Sequence, residues 1–351
     1  MAIPPVLHAL LSAHGPSGYE TAPAQVWREA AGEFAAVEVD HMGTSTATVK
    51  GTAGGPTVAI VGHVDEIGLI VTHVDEKGFL YFAQVGGWDP QILVGQRVTV
   101  HTKGGPVPGV VGKKPIHLLE PDERKKVTEL KDMHIDIGAE DGDEAKGVVR
   151  IGDVAVIDAE PIELLAGRAA SRAMDNRLGA FVAYEVARLV AEAGGAPGDV
   201  VAVAAVQEEI GLFGAAAASY RIKPDAAIAV DVTFATDTPG SDVKKLGEHP
   251  LGSGPVLERG ATLNPRLFEL LHDAGEAAGI AFSVSANGGR TGTDADAMHH
   301  NRGGIPTTVV GLPLRYMHSP VEVVQVSDVL DAAKLIAAAL QTLSSDTSFA
   351  R

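Results

Sequence analysis

Short apolar runs that stop abruptly at histidine or acidic residues form the dominant pattern along this chain. Thr57–Gly62 is followed at once by His63-Val64-Asp65-Glu66, and Val200–Val206 leads through Gln207 into Glu208-Glu209. Ala226–Val230 ends on Asp231, and Pro306–Gly311 leads through a short loop to His318. Runs this short, rich in Val and Ile and bounded by Gly or acid, predict strands buried on both faces of a parallel sheet. In open α/β sheets the ligand crevice lies beyond the carboxyl ends of the strands. Four strands would then deliver two histidines and several carboxylates to one edge, which is the layout of a metal site.

A second pattern surrounds the first. Leu178, Phe181, Val182, Val186, Leu189 and Val190 form one stripe over 176–193, and Gly194-Gly195 with Pro197 stops it. Similar stripes predict helices over 21–36, 265–278 and 327–343, so strands alternate with helices as in a layered α/β domain. Between about 69 and 161 the texture changes. Gly and Pro become dense, the apolar stretches are short and partly alternating, and no long amphipathic helix is visible. This segment reads as a small β domain, 69–161, inserted into a domain made of 1–68 and 162–351. It carries none of the candidate ligands. Within it, the charged stretch 120–132 predicts an exposed, mobile loop, and residues 344–351 read as a frayed tail.

Composition narrows the chemistry. The 351 residues give room for about two domains. A net charge of −17, from 28 basic and 45 acidic residues, argues against nucleic acid or an anionic membrane surface as partner. No cysteine is present, so any metal must be held by histidine and carboxylate. Such ligands suit zinc first, with cobalt or manganese as alternatives. The N-terminus lacks a basic signal-peptide region, and no apolar run approaches a membrane span, so a cytoplasmic protein is expected.

Each candidate has an ordinary alternative. In His63-x-Asp65 the carboxylate could orient the imidazole for a metal, or the pair could be a buried histidine beside a surface acid. Glu208-Glu209 would repel if buried unpaired. A cation would relieve them, with one residue as ligand and the other facing substrate as base. Asp175 precedes a helix and could simply cap it. Asp231 ends an apolar strand, and His318 occupies a loop where a histidine has little to pack against. Five ligands exceed one tetrahedral site and fit two ions about 3.5–4 Å apart sharing a water.

The chain resembles the tetrahedral and glutamyl aminopeptidases, dinuclear metallopeptidases whose members are sometimes labelled endoglucanase. The resemblance runs nearly end to end. It rests on Gly15–Glu20, Gly62–Gly68, Ile135–Gly138, Met174–Arg177, Gln207–Gly211, Gly292–Ala295 and Arg315–Pro320. It implies an α/β fold of the zinc-peptidase type, a mixed sheet sandwiched by helices, with an inserted small β-barrel-like domain for subunit contacts. It further implies His63 and Asp231 on one metal and Glu209 and His318 on the other. Asp175 would bridge them, Glu208 would be the general base, and Asp65 would orient His63. A homo-oligomer is implied, possibly a hollow tetrahedron of twelve subunits.

The expected function is removal of N-terminal residues from short peptides with a free N-terminus, dependent on two divalent ions per subunit. A related metal-dependent carboxypeptidase or deacylase is the nearest alternative. A two-carboxylate glycoside hydrolase would leave His63, His318 and Asp231 without a role, and few aromatics leave little for sugar stacking. A scaffold with purely structural metal would need no spare glutamate.

Overall fold

The computed structural model describes residues 2–351. Its main sheet is built from β1 (Ala36–Val39), β2 (Ser45–Val49) and β3 (Gly55–His63) before the insertion. The insertion supplies β4 (Gly68–Val74), β5 (Leu80–Val85), β6 (Arg97–Thr102), β7 (Gly105–Lys113), β8 (Met133–Asp136) and β9 (Val154–Ile157). The chain then returns through β10 (Ile162–Glu163), β11 (Arg168–Ser171), β12 (Gly198–Ala205) and β13 (Ala226–Phe234). It ends with β14 (Val256–Gly260), β15 (Ser283–Asn287), β16 (Thr307–Arg315) and β17 (Glu322–Gln325).

The main sheet runs β1-β2-β12-β3-β13-β16-β17-β11-β10, with β14 and β15 branching from β16. Its centre, β12-β3-β13-β16, is parallel and its flanks are antiparallel, so the sheet is mixed. The four apolar runs are these four adjacent central strands. Successive residues feed opposite cores: Val58, Ile60, Ala202, Ile228 and Val310 face one, while Ala59, Val61, Val201, Ala227 and Val309 face the other. The first core is covered by the helices Pro5–Ser12, Thr21–Ala31, Met174–Glu192, Pro265–Ala278 and Val326–Gln341, and the second by Phe213–Ile222. Burial on both faces explains why these runs are continuously apolar.

Helix Met174–Glu192 presses directly on β3 and β13. A Cβ on Gly62 would sit 2.1 Å from the Gly179 carbonyl carbon, and one on Gly179 would sit 2.3 Å from the Val230 oxygen. Only glycines allow this approach, which sets the start of the helix beside the carboxyl ends of β3 and β13.

The insertion closes into a six-stranded antiparallel barrel, β4-β5-β8-β7-β6-β9, filled by Leu69, Val71, Leu80, Val98, Val100, Ile135 and Ala155. A buried ion cluster lies at its junction with the sheet. The Glu66 carboxylate accepts from the Gly15 amide, Arg172 and Arg177, while both arginines also bond carbonyls at the end of the first helix. Burial would raise the Glu66 pKa, but the two guanidiniums more than offset it and hold it near 2.

Three expectations are corrected. The helix expected over 21–36 ends at Ala31, where Gly32 gives way to β1. β13 continues past Asp231 to Phe234, so Asp231 lies within the strand, opposite Gly311. Residues 344–351 are docked rather than frayed. Phe349 is buried, its carbonyl accepts from Asn264, and Arg351 donates to the Leu263 carbonyl.

Glu66→Gln should cost about 3–5 kcal/mol in unfolding free energy, because it leaves two buried guanidiniums short of a counter-charge. The depressed pKa means that the pair stabilises above the ordinary carboxyl value and loses this as pH falls toward 2. Denaturant titrations should therefore show the wild-type advantage at pH 7 shrinking below about pH 4.5. An advantage independent of pH would contradict this assignment.

Candidate metal centre

All seven candidate residues converge at the carboxyl edge of the central strands. His63 is the last residue of β3, and its Nε2 lies 3.3 Å from Asp175 Oδ1 and 3.7 Å from Glu208 Oε2. His318 follows β16, and its Nε2 is 3.3 Å from both Asp175 Oδ2 and Glu209 Oε1. Asp175 thus offers one oxygen to each imidazole. Ligand atoms of His63, Asp175 and Glu209 lie within 4.8 Å of one another, as do those of His63, Glu208 and Asp231. Asp175 does not cap its helix, since its side chain faces the histidines.

The far side of each imidazole is occupied. His63 Nδ1 donates to the Asp65 carbonyl at 3.3 Å and lies 3.2 Å from Asp65 Oδ1. His318 Nδ1 donates to the Gly87 carbonyl at 2.7 Å. Both Nε2 atoms are thereby turned toward carboxylates, where either a proton on each imidazole or a shared cation satisfies the partners. Burial, together with Asp231, Asp294 and Glu209, pushes Glu208 up to about 10 against the opposing pull of His63. Hydrogen bonds to Asp175 and Glu209 raise His318 to about 11. Four buried or nearly buried carboxylates around two imidazoles fit divalent cations and suit no neutral occupant.

The residues that hold the cluster were mostly hidden in the sequence. Asp65 orients His63, and its carboxylate also accepts from the Glu208 and Glu209 amides at 3.1 Å each and from Ser17 Oγ at 2.5 Å. Glu20 accepts from the amide of Gln207, which has a left-handed φ of 57°. Burial raises Glu20 to about 7. Glu322 is buried at the start of β17 and accepts from the Asp175 amide at 3.2 Å and the His318 amide at 2.8 Å. Asn176 joins the helix start to the Val230 carbonyl, one residue before Asp231, and Arg177 donates to the Val64 carbonyl. A glutamate inside an apolar strand was the one available signal for Glu322.

None of the seven candidate side chains comes from the inserted barrel, yet the barrel reaches the site. Gly87, between β5 and β6, orients His318, and a Cβ on the neighbouring Gly86 (φ 76°) would sit 2.5 Å from Ile67 and 3.4 Å from Glu209. A narrow cleft of about 20 Å3 opens here, lined by Ile67, Trp88, Arg172, Asp175, Glu209 and His318.

This architecture is the fold of the TET aminopeptidases. A TET aminopeptidase from a marine sediment archaeon of the Thaumarchaeota superposes with a TM-score of 0.91 at 36% identity, covering 97% of this chain and 96% of that one. The TET1 peptidase of Pyrococcus horikoshii gives 0.84 at 31% identity over 96% and 99%, and is described as able to assemble into a tetrahedron or a large octahedral shell. A lysyl aminopeptidase from Pyrococcus furiosus is 35% identical over 345 residues, 96% of either chain. The chain belongs to the M42 glutamyl aminopeptidase family, whose model matches residues 43–335.

Glu322→Ala would leave the Asp175 and His318 amides without their acceptor. Metal affinity should fall by about 10–100-fold, read by competition with a chelating indicator. Unchanged affinity would place Glu322 outside the site's support.

Proposed function

We propose that this member of an aminopeptidase family is a two-metal enzyme acting on short peptides with a free N-terminus. The observation that carries the reading is the position of Asp175, with one carboxylate oxygen facing each of two imidazoles whose opposite nitrogens are already engaged. His63 and Asp231 would hold one ion, Glu209 and His318 the other, and Asp175 would bridge them. Zinc suits these ligands best, with cobalt or manganese as alternatives. When bound, such a pair polarises the scissile carbonyl and makes a water nucleophilic at neutral pH.

The remaining chemistry falls to the chain. Glu208 is the proposed general base. It takes the proton of the attacking water and delivers it to the departing amine as the peptide bond breaks. Its amide is fixed by Asp65, which keeps the carboxylate on the same edge as the cluster. Asp65 also holds the His63 tautomer that turns Nε2 inward. Gly87 does the same for His318. The surrounding acids give a substrate ammonium a favourable environment, which accounts for an exopeptidase mode.

The barrel is proposed to make subunit contacts within a homo-oligomer, most simply a dodecamer built from dimers. Exposed Val110, Ile116, Leu118 and Val127 on the barrel segment support this, as does the shell described for the Pyrococcus horikoshii relative. A particle near twelve times 36.2 kDa by light scattering is expected, whereas a stable, active monomer would refute it.

Glu208→Gln should lower kcat about 10²–10⁴-fold while both ions stay bound, whereas Glu209→Gln should lose one ion. Exchange of these outcomes would exchange the two roles. Chelator should abolish hydrolysis of a free tripeptide, and added metal should restore it. The N-acetylated tripeptide should survive, and its equal cleavage would overturn the exopeptidase mode.

A further inference from the structure

A second cleft, of about 450 Å3, has Gly211 and Leu212 in its lining and no residue of the barrel. Its inner wall is the turn that begins at the proposed base, since Gly211 and Leu212 both donate to the Glu208 carbonyl at 2.9 Å. Its outer wall carries Arg290, His300 and Arg302. Two arginines along one cleft stand out in a protein with a net charge of −17.

Each arginine makes one side-chain contact that leaves its terminal nitrogens without a hydrogen-bond partner among the described residues. Arg290 is fixed through Nε, which lies 3.3 Å from Asp296 Oδ2, while its side chain remains 79% exposed. Among the described residues, no hydrogen bond reaches its two terminal nitrogens. Asp296 offsets part of that charge but engages only Nε of the guanidinium. Its buried carboxylate is already saturated by the Thr291 amide, the Thr291 hydroxyl and the Gly292 amide at 2.9–3.0 Å. Arg302 lies with its guanidinium carbon 4.3 Å from the Tyr220 ring centre and has no hydrogen-bond partner among the described residues. Its backbone takes a left-handed φ of 50°, and the preceding Asn301 is pinned to the Ala216 carbonyl and Ser219 Oγ. His300 Nδ1 donates to the Asp296 carbonyl, closing the wall between the two arginines.

A planar guanidinium with a free fork is matched by a carboxylate, which accepts two parallel N–H bonds. The contact each guanidinium already makes, with Asp296 or with the Tyr220 ring, limits the freedom it loses when such a ligand docks. We propose that this cleft is a carboxylate subsite for the substrate peptide, with Arg290 and Arg302 as the recognising groups. The identity of the occupant rests on the aminopeptidase reading. The carboxylate could come from an acidic side chain or from the C-terminus of a short peptide, and both present the same group to the cleft.

The test uses the full-length, metal-loaded protein and four substrates: Leu-Ala-Ala as free acid, its amide, Leu-Glu-Ala-amide and Glu-Ala-Ala-amide. At least one carboxylate-bearing peptide should exceed the neutral amide in kcat/KM by about 10-fold or more, mainly through KM. A gain for the free acid identifies the C-terminus as the source, and a gain for a glutamyl amide identifies the side chain. The double variant Arg290→Gln/Arg302→Gln should lose the gain and keep the rate on the neutral amide. Arg302→Gln alone, which leaves the Arg290–Asp296 contact in place, should lose part of it. Equal kcat/KM for all four peptides, or a gain that survives in the double variant, overturns the proposal. Should no peptide be hydrolysed, calorimetry decides, with N-acetyl-Leu-Ala-Ala, its amide, N-acetyl-Leu-Glu-Ala-amide and N-acetyl-Glu-Ala-Ala-amide. Tighter binding of any carboxylate-bearing peptide to wild type than to the double variant would sustain the cleft while the aminopeptidase reading falls, and equal binding of all of them would overturn the cleft itself.

Discussion

The buried carboxylate of Asp65 is the constraint on which the site depends. It lies between two strand ends, facing His63 Nδ1 on β3 and accepting the amides of Glu208 and Glu209 beyond β12. Ser17 Oγ completes its shell. Burial alone would favour the neutral acid, but these partners hold its pKa below the ordinary value. One charged group thus fixes an imidazole tautomer and the backbone from which both glutamates project. Without it, the proposed ligand Glu209 and the proposed base Glu208 would lose their common reference, because Gln207 just before them has a strained left-handed backbone.

A similar economy appears on the other side of the cluster. Glu322 reads the backbone of Asp175 and His318, and Gly87 of the barrel reads the His318 ring. The barrel is therefore part of the site's support as well as a candidate surface for assembly. Its grip passes through a backbone carbonyl beside Gly86-Gly87, where the close approach to Ile67 and Glu209 leaves no room for a side chain on Gly86. Movement of the barrel against the sheet would be felt first at His318. Such coupling follows from the 2.7 Å contact and needs no longer pathway.

The central strands and the candidate ligands were legible because parallel strands buried on both faces must be apolar, so any polar residue at their ends stands out. His63, Glu208, Glu209, Asp231 and His318 all carry that signature. The supporting groups were not legible, because their partners are distant in sequence. Arg177 is fully buried yet looks like an ordinary helix-start arginine, and its partners Glu66, Val64 and Leu10 lie more than a hundred residues away. Ser17 and Glu20 sit in a Gly-rich turn whose role exists only once the turn meets Gln207 and Asp65. The docked C-terminus was misread for a related reason: a short polar tail shows no periodicity, and Phe349 is held by the groove it enters. Asp231 was placed at a strand end because the apolar run stops there, although β13 keeps its ladder with β16 for three further residues.

Asp175 is proposed to bridge two ions while Glu208 touches neither. Anomalous diffraction at the zinc edge, from crystals of the zinc-loaded protein, tests it most directly. The account requires two peaks flanking the Asp175 carboxylate, one contacted by His63 and Asp231 and the other by Glu209 and His318. A single peak, or direct coordination by Glu208 with Glu209 left free, would contradict it.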